Sequence, residues 1–128
     1  MSLAPASGRV SRTAGRPADR LSPDPEIDAG PDLSARVSDR LRSSVREAAA
    51  SGHHVVRVRL DRVATFDTSG LGLLVGLHRL ARTEGLRLVL VSPTAMLFAV
   101  MRRRGLHRVI PVEFDIRLTE HRGRRPIN

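Results

Sequence analysis

The middle of the chain holds an acidic residue, two hydroxyl residues and a glycine directly before an apolar stretch, in the run Asp67-Thr68-Ser69-Gly70. This order is typical of a helix start, where free backbone N–H groups and the positive end of the helix dipole stabilise negative charge. On one interpretation the run is only a cap, whose carboxylate and hydroxyls bind those N–H groups. On the other, Ser69 accepts a phosphate, which adds about −1.5 to −2 charge and is repelled by Asp67. The two interpretations are compatible, because a capping hydroxyl can also be modified.

Two other kinds of chemistry fit this segment less well. A nucleophile elbow has glycines two residues before and after its serine, an order that the glycines here do not supply. Gly70, Gly72 and Gly76 stand at relative positions one, three and seven, whereas a Rossmann fingerprint needs one, three and six. A P-loop needs a lysine, and the chain has none. We therefore expect no hydrolase and no nucleotide site, and we attribute Gly72 and Gly76 to close packing of a helix against the sheet or a partner.

Neither a metal nor a cofactor is predicted, and no residue is assigned a catalytic role. The chain lacks cysteine, so thiolate metal sites and disulfides are excluded. The five histidines show no spacing typical of metal ligands; they are His53, His54, His78, His107 and His121.

The length and the apolar pattern indicate one small domain in the cytoplasm. A chain of 128 residues fits a single domain, and the absence of cysteine fits a reducing compartment. Residues Met1 to Arg20 lack the apolar core of a signal peptide. The longest apolar stretch, Leu71 to Leu77, is too short to span a bilayer. We expect no membrane contact.

The net charge of +9 is spread along the chain rather than gathered in one patch. Aromatic residues make up only 2% of the sequence, so stacking platforms for nucleic acid bases are nearly absent. We expect no direct binding of nucleic acid. The run Arg102 to Arg104 resembles a binding patch, but we favour its role as a set of cations that complement the dipole at the end of a helix.

The first half of the chain predicts a helix, a strand and a second helix. The first helix starts with Asp32 as N-cap after Pro31 and ends at Ser51-Gly52. Apolar residues recur on one face of it, namely Leu33, Val37, Leu41, Val45 and Ala48. A strand follows over 53–60, then a turn or short extended piece over 61–68, then an apolar helix over 71–83.

The second half predicts a buried strand over 86–91, a helix and a last strand. Ser92 and Pro93 are typical of the N-cap and first residue of a helix, which places Leu97, Val100 and Met101 inward. The last strand covers 109–114, with an extension as far as Leu118. This alternation of helices and strands predicts an α/β fold with a mainly parallel sheet. Since three strands are few, we expect one or two more before Asp28.

Three motifs, in order and at the right spacing, resemble the STAS domain family and within it the anti-sigma factor antagonists. The run from Asp67 to Leu74 resembles the signature of that family. Residues 86–93 resemble its following strand and helix start, and residues 104–112 resemble its last junction of helix and strand. A shorter similarity lies at Glu26-Ile27-Asp28, which resembles an early acidic element of the family.

The resemblance implies a small α/β fold with a sheet of about four mixed strands flanked by helices. It implies a protein that binds an anti-sigma factor of the histidine-kinase-like ATPase type when unphosphorylated, and so frees a sigma factor. The kinase would phosphorylate Ser69 and a phosphatase would reverse the mark. Partner-binding residues carried over from the family are Asp28, Asp67, Thr68, Ser69, Gly70, Leu71 and Gly72. An alternative is a STAS scaffold or sensor module without a switch, stressosome-like or associated with a transporter, and a weak homodimer is left open.

The N-terminal region departs from the family pattern. Family members begin with two apolar strands, whereas this region is rich in Arg, Pro and Gly, and Pro25 replaces a family glycine. We therefore expect a flexible or degenerate N-terminal segment over 1–25. A STAS domain over 26–118 and a basic tail over 119–128 complete the predicted organisation.

Overall fold

The structure, a computed structural model, describes residues 23–118. Its framework is a four-stranded sheet of β1 (Glu26–Asp28), β3 (Val55–Arg59), β5 (Arg87–Val91) and β6 (Val112–Glu113), in that spatial order. A separate pair is formed by β2 (Asp32–Leu33) and β4 (Thr65–Phe66). Three α-helices lie within the sheet-forming part of the described chain: α1 (Ser38–Ala50), α2 (Thr68–Thr83) and α3 (Ala95–Arg103). The predicted α/β fold with a four-stranded sheet flanked by helices is confirmed.

Strand directions are parallel throughout the described sheet. β3 pairs with β1 on one side and with β5 on the other, and β5 pairs with β6, all in parallel register. This agrees with the mainly parallel sheet expected from the alternation of helices and strands, and the mixed directions implied by the resemblance are not found over residues 23–118. Of the one or two further strands expected before Asp28, the described residues contain one, β1, which ends at Asp28 and is only three residues long.

The core is built almost entirely from aliphatic side chains of the helices and central strands. In β3, Val56 and Val58 are buried while their neighbours are half-buried, the alternation expected of a strand with one face in the core. β5 is buried on both faces, which its continuous apolar run predicted. Leu41, Val45 and Ala48 of α1 are also buried, as their spacing of four and three residues predicted.

The predicted helix start at Asp32 is wrong. Asp32 lies in β2, and a 3-10 turn over Ala35–Val37 precedes α1. The Pro31 carbonyl oxygen accepts hydrogen bonds from the N–H groups of Ala64 and Thr65, at 2.8 and 3.0 Å. This pairing holds residues 31–33 extended, so the chain turns into the helix only later. Ser34 caps the 3-10 turn, because its Oγ accepts from the Arg36 N–H at 3.3 Å.

The predicted N-cap of the last helix, Ser92, is also wrong. The cap is Thr94, whose Oγ1 accepts from the Leu97 N–H at 3.3 Å. Ser92 instead has a φ of 50° and is fully buried. Its N–H donates to the Glu113 carbonyl oxygen at 2.7 Å, and its Oγ accepts from the Asp115 N–H at 2.8 Å. Ser92 therefore ties the end of β5 to the segment around β6 and is not part of a helix.

The last strand is shorter than predicted. β6 covers only Val112–Glu113, and residues Leu106–Arg108 form a second 3-10 turn. Gly105, at a φ of 75°, ends α3 and starts that turn. The Ile110 N–H donates to the Leu106 carbonyl oxygen at 2.9 Å, which keeps the chain curved up to that residue. Leu97 and Met101 of α3 are buried as predicted, whereas Val100 is only partly buried.

Two of the predicted segments fall mainly outside the described residues. The N-terminal segment over 1–25 is described only from residue 23, and the basic tail over 119–128 is not described.

Candidate functional site

The run Asp67 to Gly70 lies where β4 turns into α2, and Asp67 is the N-cap of that helix. Its backbone is extended, with φ −135° and ψ −175°, and its side chain accepts a hydrogen bond from the Gly70 N–H at 2.8 Å. The predicted cap is therefore present, and α2 begins at Thr68, three residues before the predicted start. The arrangement satisfies a backbone donor that would otherwise lack an intrahelical partner.

The Ser69 hydroxyl joins two segments of the chain. It donates to Asp67 Oδ1 at 2.6 Å, and its Oγ accepts from the Ala35 N–H at 3.2 Å. Ala35 belongs to the 3-10 turn before α1, so the hydroxyl links the start of one helix to the approach of another. Ser69 is itself exposed. An exposed serine that is both donor and acceptor here loses its donated bond if the hydroxyl proton is replaced.

The Asp67 carboxylate is held in its charged form. The hydrogen bond from the Ser69 hydroxyl, followed by the one from the Gly70 N–H, lowers the pKa of Asp67 below its ordinary value. The helix dipole acts in the same direction at this position. Position 67 therefore carries a negative charge at neutral pH, directly beside the Ser69 oxygen.

Gly70 is required by the fold. A Cβ at this position would lie 2.0 Å from the Leu33 carbonyl oxygen and 2.7 Å from its carbonyl carbon. No side chain fits there unless the backbone moves. The first turn of α2 therefore rests directly on the backbone of β2, which explains how the Ala35 N–H comes within reach of Ser69.

Gly72 and Gly76 differ from Gly70. Packing of α2 against the sheet does not account for Gly72, because the residue is exposed and an added Cβ would meet nothing within 4 Å. At Gly76 a Cβ would lie 3.0 Å from Nη2 of Arg42, a residue of α1. The sheet-packing explanation is thus wrong for both: Gly76 makes room for a neighbouring helix, and nothing within the described fold requires Gly72.

The residues of the helix start that were predicted to bind a partner differ in solvent exposure. Asp67, Thr68, Ser69 and Gly72 are exposed, so these four residues form the accessible part of the helix start. Leu71 is only 5% exposed and packs in the core. A partner that reaches this site meets the first of these groups, whereas Gly70 and Leu71 act by setting the position of the helix.

Asp28 lies at the end of β1 and is held by its own loop. Its Oδ1 accepts from the Gly30 N–H at 2.8 Å, and its Oδ2 pairs with Arg62 at 3.0 Å. Burial raises the pKa of Asp28, but the hydrogen bond from Gly30 and the Arg62 guanidinium outweigh it and leave the pKa lowered. Arg40 donates to the carbonyl oxygens of residues 28 and 29, at 3.0 and 2.9 Å. No described hydrogen bond joins this loop directly to Ser69.

Several residues of the site were missed at the level of sequence. Asp32 was predicted to cap a helix. Its carboxylate instead accepts hydrogen bonds from the Thr65 and Ser34 hydroxyls, both at 3.1 Å, and so stabilises the pairing of β2 with β4. Leu33 and Ala35 contribute backbone atoms, which no sequence pattern marks. Of these features, only the cap of the 3-10 turn could have been noticed in the sequence, because Ser34 is a typical capping residue.

The described residues support no metal or nucleophilic chemistry at this site. Over residues 23–118 there is no group of three or more His, Asp or Glu side chains able to hold a metal ion. The two described partners of the Ser69 hydroxyl are a carboxylate and a backbone N–H, and neither is the histidine base that activates a serine in a triad. His78, on the same helix, has a buried Nδ1 atom with no hydrogen-bond partner among the described residues.

The parallel sheet, its flanking helices and the Asp67–Ser69 helix start define a small α/β domain. The family model of the STAS domain matches residues 27–122. The chain therefore belongs to the STAS domain family, as the three motifs predicted. No curated protein matches the chain significantly.

Solved structures with the same fold include two anti-sigma factor antagonists. One, from Thermotoga maritima, has 21% identity and a TM-score of 0.54, with 82% of this chain and 86% of that chain covered. The other is the antagonist SpoIIAA in its unphosphorylated form, with 20% identity, a TM-score of 0.52 and coverage of 78% and 88%. A third structure is a sulfate transporter family protein from Wolinella succinogenes, with 18% identity, a TM-score of 0.63 and coverage of 77% and 84%. At these identities the likeness concerns the fold.

Within residues 23–118, none of the helices combines the length and apolar character needed to cross a membrane.

Proposed function

We propose that this protein is an anti-sigma factor antagonist that is switched off by phosphorylation of Ser69. The observation that carries the proposal is the geometry of one atom: the exposed Ser69 Oγ donates to Asp67 at 2.6 Å and accepts from Ala35 at 3.2 Å. The unphosphorylated protein binds an anti-sigma factor of the histidine-kinase-like ATPase type through this helix start, and thereby frees a sigma factor.

A phosphate on Ser69 changes this surface in two ways. It removes the hydroxyl proton that is donated to Asp67, and it places about −1.5 to −2 charge next to that carboxylate. The N-terminus of α2 stabilises such a charge while it faces water. A bound partner would have to bury the charge, and an unpaired buried charge costs several kcal/mol. Since about 1.4 kcal/mol changes an equilibrium tenfold, the modification suffices to abolish binding.

The exposed group Thr68, Ser69 and Gly72 fits direct contact with a partner. Glycine inside a helix is about 0.5 to 1 kcal/mol less favourable than alanine. Because Gly72 is exposed and faces open space, the fold gains nothing from it. A partner that approaches the helix backbone closely would gain from the missing side chain. Asp28, which is charged and held by Gly30 and Arg62, is proposed as a second contact of the same partner.

The proposed role requires no catalysis by this chain. The kinase activity belongs to the anti-sigma factor, and a separate phosphatase restores the serine. We place the protein in the cytoplasm and assign it no cofactor and no direct contact with nucleic acid or membrane. We propose that residues 26–118 form the STAS domain, with a separate N-terminal segment before it and a basic tail after it. A weak homodimer is compatible with this role.

The test uses the histidine-kinase-like anti-sigma factor encoded in the same genome, with radiolabelled ATP. We expect the wild type and Thr68→Ala to be labelled and Ser69→Ala to remain unlabelled. Thr68→Ala is the matched control, because it removes the neighbouring hydroxyl on the same helix turn. Labelling that persists in Ser69→Ala would disprove the site. Ser69→Asp is expected to lose binding to the anti-sigma factor in a pull-down at equal protein concentrations.

A second candidate is a STAS module without a switch, as part of a larger complex or a transporter. The similarity of the fold to a sulfate transporter family protein, at a TM-score of 0.63, supports this second candidate. On this alternative Ser69 acts only as a link between Asp67 and Ala35. Unchanged partner binding by Ser69→Asp, together with no binding to any kinase-type anti-sigma factor, would favour the module over the switch.

A further inference from the structure

A cluster of basic side chains lies at the end of α3, away from the Ser69 region in sequence. Arg102 and Arg103 occupy the last turn of the helix, and Arg104 follows as its C-cap. Gly105 then turns the chain through its φ of 75°, so that His107 and Arg108 of the second 3-10 turn come next. The cluster therefore consists of two parts, the end of α3 and the second 3-10 turn, which are joined by Gly105.

These two parts line a shallow cavity that is widely open to solvent. Its volume is about 390 Å³, and the residues that line it are Ala99, Arg102, Arg103, His107 and Arg108. This volume is within the range of about 300 to 1,000 Å³ that is typical of small-molecule sites. None of these lining residues is acidic, so the cavity has a positive charge that its own walls do not neutralise.

The arginines of the cavity differ from others in the chain. Four arginines elsewhere are paired with carboxylates: Arg57, Arg59, Arg62 and Arg117. No described carboxylate lies within ion-pair distance of Arg102, Arg103 or Arg108, and the side chains of all three are exposed. Three guanidinium groups that line one cavity without a described counter-charge repel one another, and a bound anion relieves that repulsion.

The helix dipole accounts for only part of this charge. The C-terminus of a helix carries roughly −0.5 of an elementary charge, which a single arginine outweighs. The last carbonyl oxygens of α3 are bound by backbone groups, since the Arg104 and Gly105 N–H groups donate to residues 100 and 102 at 3.1 and 3.0 Å. Arg108 stands outside the helix altogether. The sequence predicted that the arginine run complements the helix dipole. That role does not explain the positive charge of the cavity.

His107 forms one wall of the cavity. Its ring meets Phe98 edge-on, with 6.5 Å between the ring centroids, so the imidazole has a defined orientation. Its Nδ1 atom is buried and has no hydrogen-bond partner among the described residues, so this nitrogen faces away from solvent. His107 therefore shapes the cavity, and the arginines supply its charge.

We propose that this cavity binds a phosphate group, with Arg102, Arg103 and Arg108 as its charge partners and His107 as a wall residue of fixed orientation. Guanidinium groups bind phosphate oxygens through paired N–H donors, and several of them at one cavity suit a compact dianion. A nucleobase is not favoured, because the described lining of the cavity contains no Phe, Tyr or Trp ring on which a base could stack. The site is separate from Ser69, so this proposal does not depend on the proposed function.

The test is an NMR titration of the full-length chain with sodium phosphate at neutral pH and constant ionic strength. We expect saturable shifts of the amides over 102–108 with a stoichiometry of one. The double variant Arg103→Gln/Arg108→Gln should weaken binding about tenfold or more. The matched control Arg79→Gln/Arg82→Gln removes the same charge from α2 and should change affinity less than about twofold.

A further titration, with phosphoserine, identifies the source of the phosphate. Phosphoserine that binds more tightly than inorganic phosphate would indicate a modified side chain as ligand, whereas equal or weaker binding would indicate the free anion. Shifts that do not saturate, or that sodium chloride reproduces, would overturn the proposal. Equal weakening by the two double variants would do so as well, because it would reduce the effect to net charge. Retained dispersion of the amide spectrum shows that a variant is folded.

Discussion

A Cβ atom at position 70 would lie 2.0 Å from the carbonyl oxygen of Leu33, so the start of α2 and the backbone of β2 are in direct contact. The two residues are far apart in sequence. Their contact brings the 3-10 turn after β2 up to α2, where the Ala35 N–H reaches Ser69. The candidate switch is thus positioned by a glycine that carries no chemistry of its own.

Gly70→Ala is expected to destabilise the protein by about 2 to 3 kcal/mol, because the neighbouring atoms are backbone and cannot rotate away. The measurement is urea unfolding followed by circular dichroism. The control is Gly72→Ala, which adds the same methyl group two residues further along the same helix, in open space. Equal stability of wild type and Gly70→Ala would mean that α2 can move away from Leu33 at little cost.

Gly72→Ala is expected to stabilise the free protein by about 0.5 to 1 kcal/mol through helix propensity. On the proposed function it should also weaken binding of the anti-sigma factor, by about tenfold, since a methyl group would stand between the partner and the helix backbone. Calorimetric titration checks the affinity and thermal unfolding checks the stability. Arg82→Ala, an exposed change further along α2, should leave the affinity unchanged. Tight binding by Gly72→Ala would remove this residue from the proposed contact surface.

The stability contributed by Asp67 is expected to disappear at acid pH. The hydrogen bonds from Ser69 and Gly70 lower the pKa of Asp67 in the folded state below the ordinary value of 3.8. A carboxylate with a lowered folded-state pKa stabilises the protein fully above its unfolded-state pKa. That contribution is lost as the pH falls through the folded-state pKa.

The comparison for this prediction is Asp67→Asn, which keeps a capping side chain but cannot ionise. Urea unfolding is measured from neutral pH down to below 3.8, the ordinary pKa of an aspartate. The difference in stability between wild type and variant should be greatest at neutral pH and should shrink as the solution becomes acid. A difference that stays constant over the whole range would contradict the assignment.

The regular elements could be predicted because their causes are local. The spacing of Leu41, Val45 and Ala48 by four and three residues reflects burial of one helix face, and the alternation in β3 reflects burial of one strand face. The two helix starts that were predicted wrongly, at Asp32 and Ser92, contain good capping residues. Hydrogen bonds to distant segments hold both residues in other conformations.

For this site, only the contacts between residues close in sequence could be predicted. The cap formed by Asp67 and Gly70 spans three residues and can be deduced from residue types. The bond between Ser69 and Ala35 spans 34 residues and involves a backbone N–H group, which every residue except proline carries. Likewise, the sequence shows Gly70 as one of several glycines, and only the position of Leu33 reveals which of them cannot be replaced.

The described sheet is bordered by very short strands, β1 with three residues and β6 with two. Such borders offer too little unpaired backbone for another polypeptide to extend the sheet by strand addition. Intermolecular recognition over residues 23–118 must therefore rely on side chains and helix ends. A surface of that kind can respond to a single charge, whereas a continuous ladder of main-chain hydrogen bonds would not be broken by it.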